Sequence, residues 1–336
     1  MIQLPAEPTE PLAPEAIRQV TNSEMRTYKE CKRKWWLQYV RRLQQNYTGP
    51  GPLSLGNMVH HVLEQFYGFR DPSAAEDYAT SGAWRTDLEK HCQERAFELA
   101  EAGADSYIVE MQNESALASI MLEGYFEWLQ ESGIDGVMTI TGAEEQLEVF
   151  IGNIEGIDVY LRCKLDAPAV LNSTGETLFI DHKTVQNLAD LPKMAHLDEQ
   201  MLTYGLAQRL QQKDNPNARR AIGGMFNMLR KVKRTARANP PFYGRYAVYH
   251  NDEEYRAFYL RVWGQVRDML RLERELFGGA DPRVVAYPNP TRDCTWKCPF
   301  FHCCQMFDDG SDVESVLAEN FHVGDPNARY VEQEKG

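Results

Sequence analysis

Residues 177–184 read Thr-Leu-Phe-Ile-Asp-His-Lys-Thr, an apolar run that ends in an acid, a histidine and a lysine. Side chains alternate along a strand, which places Asp181 and Lys183 on one face and His182 on the other. The simplest interpretation is a surface ion pair, because the pattern D-x-K is frequent by chance. The alternative is a metal site, where the carboxylate binds a divalent cation and the ammonium orients a water molecule or steadies phosphate charge.

A second acid ends another strand-like run. Asp166 closes residues 159–166, fifteen positions before Asp181. If the two strands are neighbours, both carboxylates reach the same edge of a sheet. Paired oxygen ligands with open water positions suit Mg²⁺ or Mn²⁺. The two runs together therefore favour the metal site.

Two helical segments carry further polar side chains. Residues 56–66 show helical periodicity, with a buried face formed by Val59, Val62, Leu63 and Phe66. His60 lies at the border of that face, and Glu64 lies one turn along the same side. Gln200 and Tyr204 are four apart on a later helix, so both can reach a substrate phosphate or the lysine. Each pattern alone is also typical of ordinary structure, since a border histidine is more often structural than a ligand.

The rest of the chain alternates between helical and strand-like periods. Helices are predicted over 21–42, 85–102, 113–132, 194–212 and 252–277, and the first begins with a capping box in which Thr21 is followed by Glu24 three residues later. Strands are predicted over 146–151, 159–166, 177–183, 222–229 and 244–250. The expected fold class is α/β, a mixed central sheet flanked by helices with a helical region before it. We expect a flexible N-terminus over 1–20, one domain over 21–307 and an acidic tail over 308–336.

Composition sets outer bounds on function. The 336 residues are 43% hydrophobic and 25% charged, which excludes dominant disorder. The sequence shows neither a membrane-length apolar run nor a signal-peptide pattern, so we expect a protein of the cytoplasm. The net charge of -13 at first argues against nucleic acid. However, residues 308–336 hold eight acids and two bases and residues 1–20 hold three acids and one base, so the termini supply -8.

The seven cysteines are unevenly placed. Four of them, Cys294, Cys298, Cys303 and Cys304, fall within eleven residues, and Cys31 lies near the other end. In a reducing compartment such residues are thiols or metal ligands rather than disulfides. Four thiolates, three from this segment together with Cys31, would suit structural zinc. The other interpretation is a set of reduced core thiols.

In order and spacing, these motifs resemble the RecB-like branch of the PD-(D/E)XK nuclease superfamily, which includes AddB-type nuclease domains, CRISPR-associated RecB-like nucleases and phage exonucleases. The resemblance covers residues 21–307. The G-x-x-x-H-x-x-x-E helix is matched by Gly56, His60 and Glu64, and the Q-x-x-x-Y helix by Gln200 and Tyr204. The D-x-K-T strand is matched by residues 181–184. The G-x-x-D strand ending is matched by 163–166, where cysteine replaces the usual glycine.

This resemblance implies a particular metal site. The ligands of Mg²⁺ or Mn²⁺ would be His60, Asp166, Asp181 and the main-chain carbonyl of His182. Lys183 would position and activate the attacking water, and Gln200 and Tyr204 would contact the lysine or the DNA backbone. The expected reaction is in-line hydrolysis of a phosphodiester.

The resemblance also implies a [4Fe–4S] cluster, held by Cys31, Cys294, Cys298 and Cys304. The spacing between the first two cysteines of the C-terminal segment is one residue longer than the commonest family form. Cys303 stays open as an alternative last ligand. Because it joins distant parts of the chain, the cluster would act as a clasp around the nuclease core.

Two basic runs are candidates for DNA contact. They contain Arg33 and Lys34 beside Trp35, and Arg230, Lys231, Lys233 and Arg234. Such runs are usually solvated surface, but aromatic neighbours favour stacking on unpaired bases. We therefore expect a single strand or a frayed end as the preferred substrate.

Together these observations predict a metal-dependent DNA exonuclease that serves recombination or end processing in a bacterial or phage-infected cell. A recombination or helicase protein is a possible partner. One alternative is an end-trimming nuclease of the CRISPR-adaptation type. The other is a DNA-binding scaffold subunit of a helicase–nuclease complex.

Overall fold

The computed structural model describes residues 17–46, 54–101, 103–104, 106–213, 215 and 219–330. The strands are β1 (Ile17–Thr21), β2 (Leu43–Gln45), β3 (Met138–Ile140), β4 (Glu145–Ile154), β5 (Ile157–Leu165), β6 (Ala167–Leu171), β7 (Thr177–Val185), β8 (Ala221–Arg230), β9 (Tyr243–Tyr249) and β10 (Phe321–Val323). The helices are α1 (Asn22–Glu30), α2 (Lys32–Trp35), α3 (Ser54–Gly68), α4 (Pro72–Ser81), α5 (Ala83–Glu101), α6 (Ser106–Ser132), α7 (Asp190–Met194), α8 (Glu199–Gln212), α9 (Asp252–Phe277), α10 (Pro282–Val285), α11 (Cys294–Lys297), α12 (Phe301–Cys304), α13 (Met306–Asp309) and α14 (Val313–Asn320).

The chain forms two compact units, each assembled from separate stretches of sequence. The first contains the described residues of 1–48, 148–163 and 256–336, and the second those of 49–147 and 164–255. Mixed sheets and flanking helices confirm the predicted α/β class. Each strand and long helix predicted after residue 80 is present, with ends shifted by up to seven residues.

The second unit is built on a five-stranded sheet with the order β3-β6-β7-β8-β9. β7 and β8 are parallel, and the other neighbours are antiparallel. The register aligns His182 with Asn227 and Asn227 with Arg245, so these three side chains form one row across the sheet. Asp181 and Lys183 belong to the opposite face of β7.

β7 is the central strand and is covered on both faces, which explains its uninterrupted apolar run. On one face, the Phe179 ring meets the Tyr204 ring of α8 edge-on at 5.3 Å. Gly224 of β8 makes room for this packing, because a Cβ there would lie 2.4 Å from the Phe179 ring. The close fit fixes α8, and with it Gln200, against the sheet.

The route of the chain around Asp166 differs from the expectation. We expected the strand that ends at Asp166 to be the neighbour of β7, and this is wrong. β5 pairs with β1 in another sheet, and the chain bends at Asp166 and continues as β6. β6 is the strand that pairs with β7, with Ala167 opposite Ile180. The bend therefore still brings Asp166 close to the end of β7.

The first unit contains the sheet β1-β5-β4 and the short pair β10-β2. The described residues at both termini are more ordered than their composition predicts. Residues 17–21 form β1, which pairs in parallel with β5, and residues 1–16 lie outside the described part. Within the acidic tail, residues 313–323 form α14 and β10, and residues 331–336 again lie outside it.

The predicted helix over 21–42 is interrupted at Cys31. Thr21 caps α1 as expected, since its side chain accepts a hydrogen bond from the Glu24 N–H at 3.2 Å. Cys31 itself has extended backbone angles (φ -163°, ψ 118°), and α2 begins after it. The break makes Cys31 the N-cap residue of α2, where its sulfur accepts from the Lys34 N–H at 3.5 Å. Across the described residues, no helix combines the length and apolar character that a membrane span needs.

Candidate functional site

Asp181 and Lys183 form an ion pair near the end of β7, where Asp181 is buried and Lys183 is partly exposed. The Lys183 Nζ lies 2.7 Å from Asp181 Oδ2, and the Asp181 side chain is only 1% exposed. Gln200 connects the two, because its Nε2 donates to Asp181 Oδ1 at 3.0 Å and its Oε1 accepts from Lys183 at 3.1 Å. It also donates to the Tyr204 hydroxyl at 2.8 Å. The interpretation as a surface ion pair is therefore excluded, and the four side chains form one network.

The charge state of Lys183 follows from its neighbours. Burial by itself lowers the pKa of this ammonium, but the carboxylates of Asp181 and Asp166 outweigh that effect and raise the pKa. Lys183 is thus a cation at neutral pH, and its side chain keeps 28% of its surface exposed. It can donate hydrogen bonds to an incoming group.

Asp166 lies next to this network. The main-chain N–H of His182 donates to its Oδ2 at 2.8 Å. Burial, followed by the negative charge of Asp181, raises the pKa of Asp166 to about 7. A carboxylate whose pKa is raised by burial and by a second carboxylate beside it belongs to a site that a cation stabilises.

His60 presents a lone pair to Asp166. Its Nε2 lies 2.8 Å from the carbonyl of His182, which can only accept, so Nε2 carries the proton. Its Nδ1 then points a lone pair at Asp166 Oδ2, 3.5 Å away. Burial and the charge of Lys183 lower the pKa of His60, so the ring is neutral at pH 7. A nitrogen and an oxygen lone pair that face each other are a natural pair of metal ligands.

Sequence reasoning missed Glu144. Ligand atoms of His60, Glu144 and Asp166 all lie within 4.8 Å of one another. Burial raises the pKa of Glu144, although its ion pair with Lys164 opposes the effect. The residue precedes β4 in a loop without any motif, so the only signal in the sequence is an acid before a strand.

A second missed group supports His182 on the opposite face of the sheet. The His182 ring stacks on the Tyr67 ring at 5.2 Å, and its Nδ1 lies 2.9 Å from Asn227 Nδ2. Arg245 donates to Asn227 Oδ1 at 3.2 Å, which directs the amide N–H groups toward His182 and Tyr125. The His182 ring therefore accepts at Nδ1 and stays neutral, and burial lowers its pKa strongly. This network immobilises the residue whose main chain contacts both His60 and Asp166.

Four cysteines of the first unit line one cavity of about 690 Å³. Cys31, Cys294, Cys298 and Cys304 contribute to its wall. Cys303 is buried, and its sulfur lies 3.4 Å from the Phe300 carbonyl. The sequence left the choice between Cys303 and Cys304 open, and only Cys304 of the two lines the cavity.

Main-chain N–H groups donate hydrogen bonds to two of these four sulfurs. Lys34 and Asn289 donate to Cys31 at 3.5 Å and 3.4 Å. Thr291 donates to Cys294 at 3.3 Å. Around the other two sulfurs burial dominates, since it raises the pKa of Cys298 to about 11 and also raises the pKa of Cys304.

The residues predicted to contact DNA differ in their exposure to solvent. Trp35 is fully buried and donates to Glu24 at 3.2 Å, and Arg33 is 2% exposed and pairs with Asp308 at 2.7 Å. The prediction that these two contact DNA is wrong, because neither side chain has surface for a strand. Lys34 keeps 17% of its side chain exposed and lies 3.5 Å from Glu30.

The second basic run, in the other unit, is more accessible. Lys233 and Arg234 are exposed, and Arg234 pairs with Glu127 at 2.6 Å. Arg230 is partly buried and donates to the Asn239 carbonyl at 3.0 Å, and Lys231 is also partly buried. This run can therefore still meet a phosphate backbone.

The sheet and this site together define a class, the metal-dependent hydrolases with an α/β core. The sequence model of the PD-(D/E)XK nuclease superfamily matches residues 19–305, which is most of the chain. The chain belongs to the PD-(D/E)XK nuclease superfamily. Its members are nucleases that hydrolyse phosphodiester bonds with a divalent metal. A comparison with the curated proteins finds no match.

Proposed function

We propose that this protein is a metal-dependent DNA exonuclease of the RecB-like branch, acting in recombination or DNA end processing. The observation that carries the proposal is the convergence of four separate motifs on one site. His60 from α3, Asp166 from the β5–β6 bend, and Asp181 and Lys183 from β7 are joined by direct contacts. Gln200 of α8 completes the network.

The residues fit a divalent cation. A neutral histidine nitrogen beside closely spaced carboxylates, Asp181 at 1% and Asp166 at 11% side-chain exposure, is the donor set that Mg²⁺ or Mn²⁺ takes. His60, Asp166, Asp181 and the His182 carbonyl would hold it. A cation bound there supplies charge stabilisation at the phosphorus and at the leaving oxygen.

The side chains around this site have separate tasks. The Lys183 ammonium, held by Asp181 and Gln200, donates a hydrogen bond that orients the attacking water or a phosphate oxygen. Its raised pKa means that it acts as a charged donor and not as a base. Gln200 fixes the direction of that ammonium, and Tyr204 fixes Gln200.

Digestion of end-labelled DNA tests the activity and its polarity. Linear and circular substrates, single- and double-stranded, are incubated with Mg²⁺ or Mn²⁺. We expect degradation of linear DNA from an end, with preference for single strands or frayed ends. Lys183→Ala should lower the rate by at least 100-fold, because it removes a donor placed for the transition state. Lys193→Ala is the matched control, since that lysine is 69% exposed on α7.

Several outcomes would contradict the proposal. Cleavage of circular DNA as fast as linear DNA would contradict exonuclease action. Removal of only a few nucleotides per end would favour the end-trimming alternative. DNA binding without cleavage by the unaltered protein would favour the scaffold alternative, in which a helicase or recombination partner performs the reaction.

We further propose that Cys31, Cys294, Cys298 and Cys304 hold a [4Fe–4S] cluster. The proposal is supported by the shared cavity and by the N–H groups directed at the sulfurs. A cluster bound there links Cys31 to the C-terminal segment, across a loop of about 263 residues, and so restricts the unfolded chain. The cavity is also far larger than a single ion requires.

Absorbance and metal analysis of anaerobically purified protein test the cluster. We expect a brown protein with broad absorbance near about 400 nm and four iron and four sulfide ions per chain. Cys304→Ser should abolish the absorbance, whereas the neighbouring Cys303→Ser should retain it. A colourless protein with one zinc ion per chain would refute the cluster.

A further inference from the structure

The Glu144 carboxylate lies within reach of the metal site but has no part in the motifs. A carboxylate oxygen of Glu144 and the ligand atoms of His60 and Asp166 all lie within 4.8 Å of one another. Ligands on opposite sides of a Mg²⁺ ion are roughly 4.2 Å apart, since each Mg–O bond is about 2.1 Å. All three side chains can therefore contact one cation with small adjustments.

The main chain holds Glu144 in this position. The Glu144 N–H donates to the main-chain carbonyl of Asp166 at 2.9 Å. This bond ties the loop before β4 to the bend between β5 and β6, so the two carboxylates stay together. Glu144 also adopts a left-handed backbone (φ 51°), which is uncommon for a residue with a side chain.

Lys164 is the ion-pair partner of the Glu144 carboxylate. Its ammonium forms an ion pair with Glu144, and their side chains are 29% and 17% exposed respectively. Lys164 lies only two residues before Asp166, at the edge of the same site. The ammonium provides the positive charge that a partly buried carboxylate needs.

We propose that Glu144 is a further ligand of the divalent cation and that Lys164 competes with the cation for its carboxylate. This inference rests on the proposed metal-dependent nuclease function. It predicts effects of opposite sign from the two partners of one ion pair, which a purely structural pair does not produce.

Calorimetric titration of the full chain with Mn²⁺, without DNA, provides the test. Glu144→Gln should weaken Mn²⁺ binding about tenfold, because it removes one charged ligand. Lys164→Gln should tighten binding, because the competing ammonium is gone. Glu123→Gln is the matched control, since Glu123 pairs with Arg85 at a half-exposed position of the same unit, and it should leave the affinity unchanged.

Circular dichroism checks that each variant is folded. If Glu144→Gln does not fold, Glu144→Asp keeps the charge, shortens the side chain by one methylene and should weaken binding by a smaller factor. Unchanged affinity in the Glu144 variants, or weaker binding in Lys164→Gln, would overturn the inference.

Asp181→Asn separates this inference from the proposed function. If the unaltered protein binds Mn²⁺ and Asp181→Asn loses the binding, the metal site stands whatever the Glu144 variants do. If the unaltered protein binds no Mn²⁺, both the metal-dependent function and the role of Glu144 are refuted.

Discussion

At the scale of single residues, the site depends on charges whose neighbours decide their protonation. Lys183 is only 28% exposed, and it remains charged because two carboxylates lie beside it. Asp166 is buried beside another acid, and its pKa rises to about 7. His60 is neutral because burial and the nearby Lys183 ammonium both lower its pKa. These shifts describe a site in which protons and a divalent cation compete for the same atoms.

The raised pKa of Asp166 predicts how stability depends on pH. The pKa of Asp166 is 3.8 in the unfolded chain and about 7 in the folded protein. The free energy of unfolding therefore falls as the pH rises above 3.8, and the loss is complete above about pH 7. Asp166→Asn removes this cost. Without divalent cation, its free energy of unfolding should exceed that of the unaltered protein at pH 8 by about 1 kcal/mol or more, and the two should be similar at pH 4.

Urea denaturation at both pH values measures this difference. Asp190→Asn serves as a control, because Asp190 is 65% exposed on α7. A variant that is less stable than the unaltered protein at pH 8 would contradict the assignment of an unfavourable charge to Asp166. Activity should be lost in Asp166→Asn whatever its stability, because a proposed ligand is removed.

At the scale of elements, the contact between α8 and the sheet holds together the network that we propose is catalytic. Gly224 allows the Phe179 ring and the sulfur of Met201 to approach β8. α8 begins at the Asp198 cap, whose carboxylate accepts from the Gln200 and Met201 N–H groups. The cap and the packing together determine where Gln200 meets Lys183.

Gly224→Ala should destabilise the protein by about 1–3 kcal/mol, because the added methyl overlaps buried side chains. It should also lower nuclease activity, because a displaced α8 moves Gln200. Thermal and urea denaturation measure the first effect, and a timed digestion of linear DNA measures the second.

Gly264→Ala is the matched control for this substitution. Gly264 lies inside α9, and a Cβ there meets no atom within 4 Å. Alanine favours a helix over glycine, so this variant should gain about 0.5–1 kcal/mol. If Gly224→Ala and Gly264→Ala changed the free energy of unfolding by the same amount, the close packing at Gly224 would not contribute to stability.

At the scale of the whole molecule, the acidic net charge of -13 coexists with a local basic run. Binding of a phosphate backbone releases counterions, so affinity for DNA falls steeply with salt. The accessible bases Lys233 and Arg234 are the residues of this run with the most surface. Arg234 already pairs with Glu127, which leaves Lys233 as the better test.

Lys233→Ala should weaken DNA binding uniformly across sequences and reduce the slope of log affinity against log salt by about 1. Fluorescence anisotropy with labelled single strands at several salt concentrations measures the slope. Lys90→Ala is the control, because Lys90 is 75% exposed on α5 and pairs only loosely with Glu94, at 3.9 Å. An unchanged slope in Lys233→Ala would exclude this run from the DNA path.

Local pattern alone determined much of this protein. The apolar run before Asp181 predicted β7, the hydroxyl at Thr21 predicted a helix cap, and the periodicity of 252–277 predicted α9 within its observed bounds. These features depend on residues close in sequence, whose preferences the chain carries with it. The order of the motifs also indicated the superfamily that the chain belongs to.

Only the tertiary structure decided which distant residues meet. Glu144 joins the site through a loop without a motif, and Asn227 and Arg245 reach His182 through strand register. Trp35 and Arg33 are buried although their segment is basic. Such contacts depend on long-range pairing and on which face a helix buries, and several registers satisfy the same local pattern. The physical reason is that burial, which sets pKa values and accessibility here, is a property of the packed chain and not of any short segment.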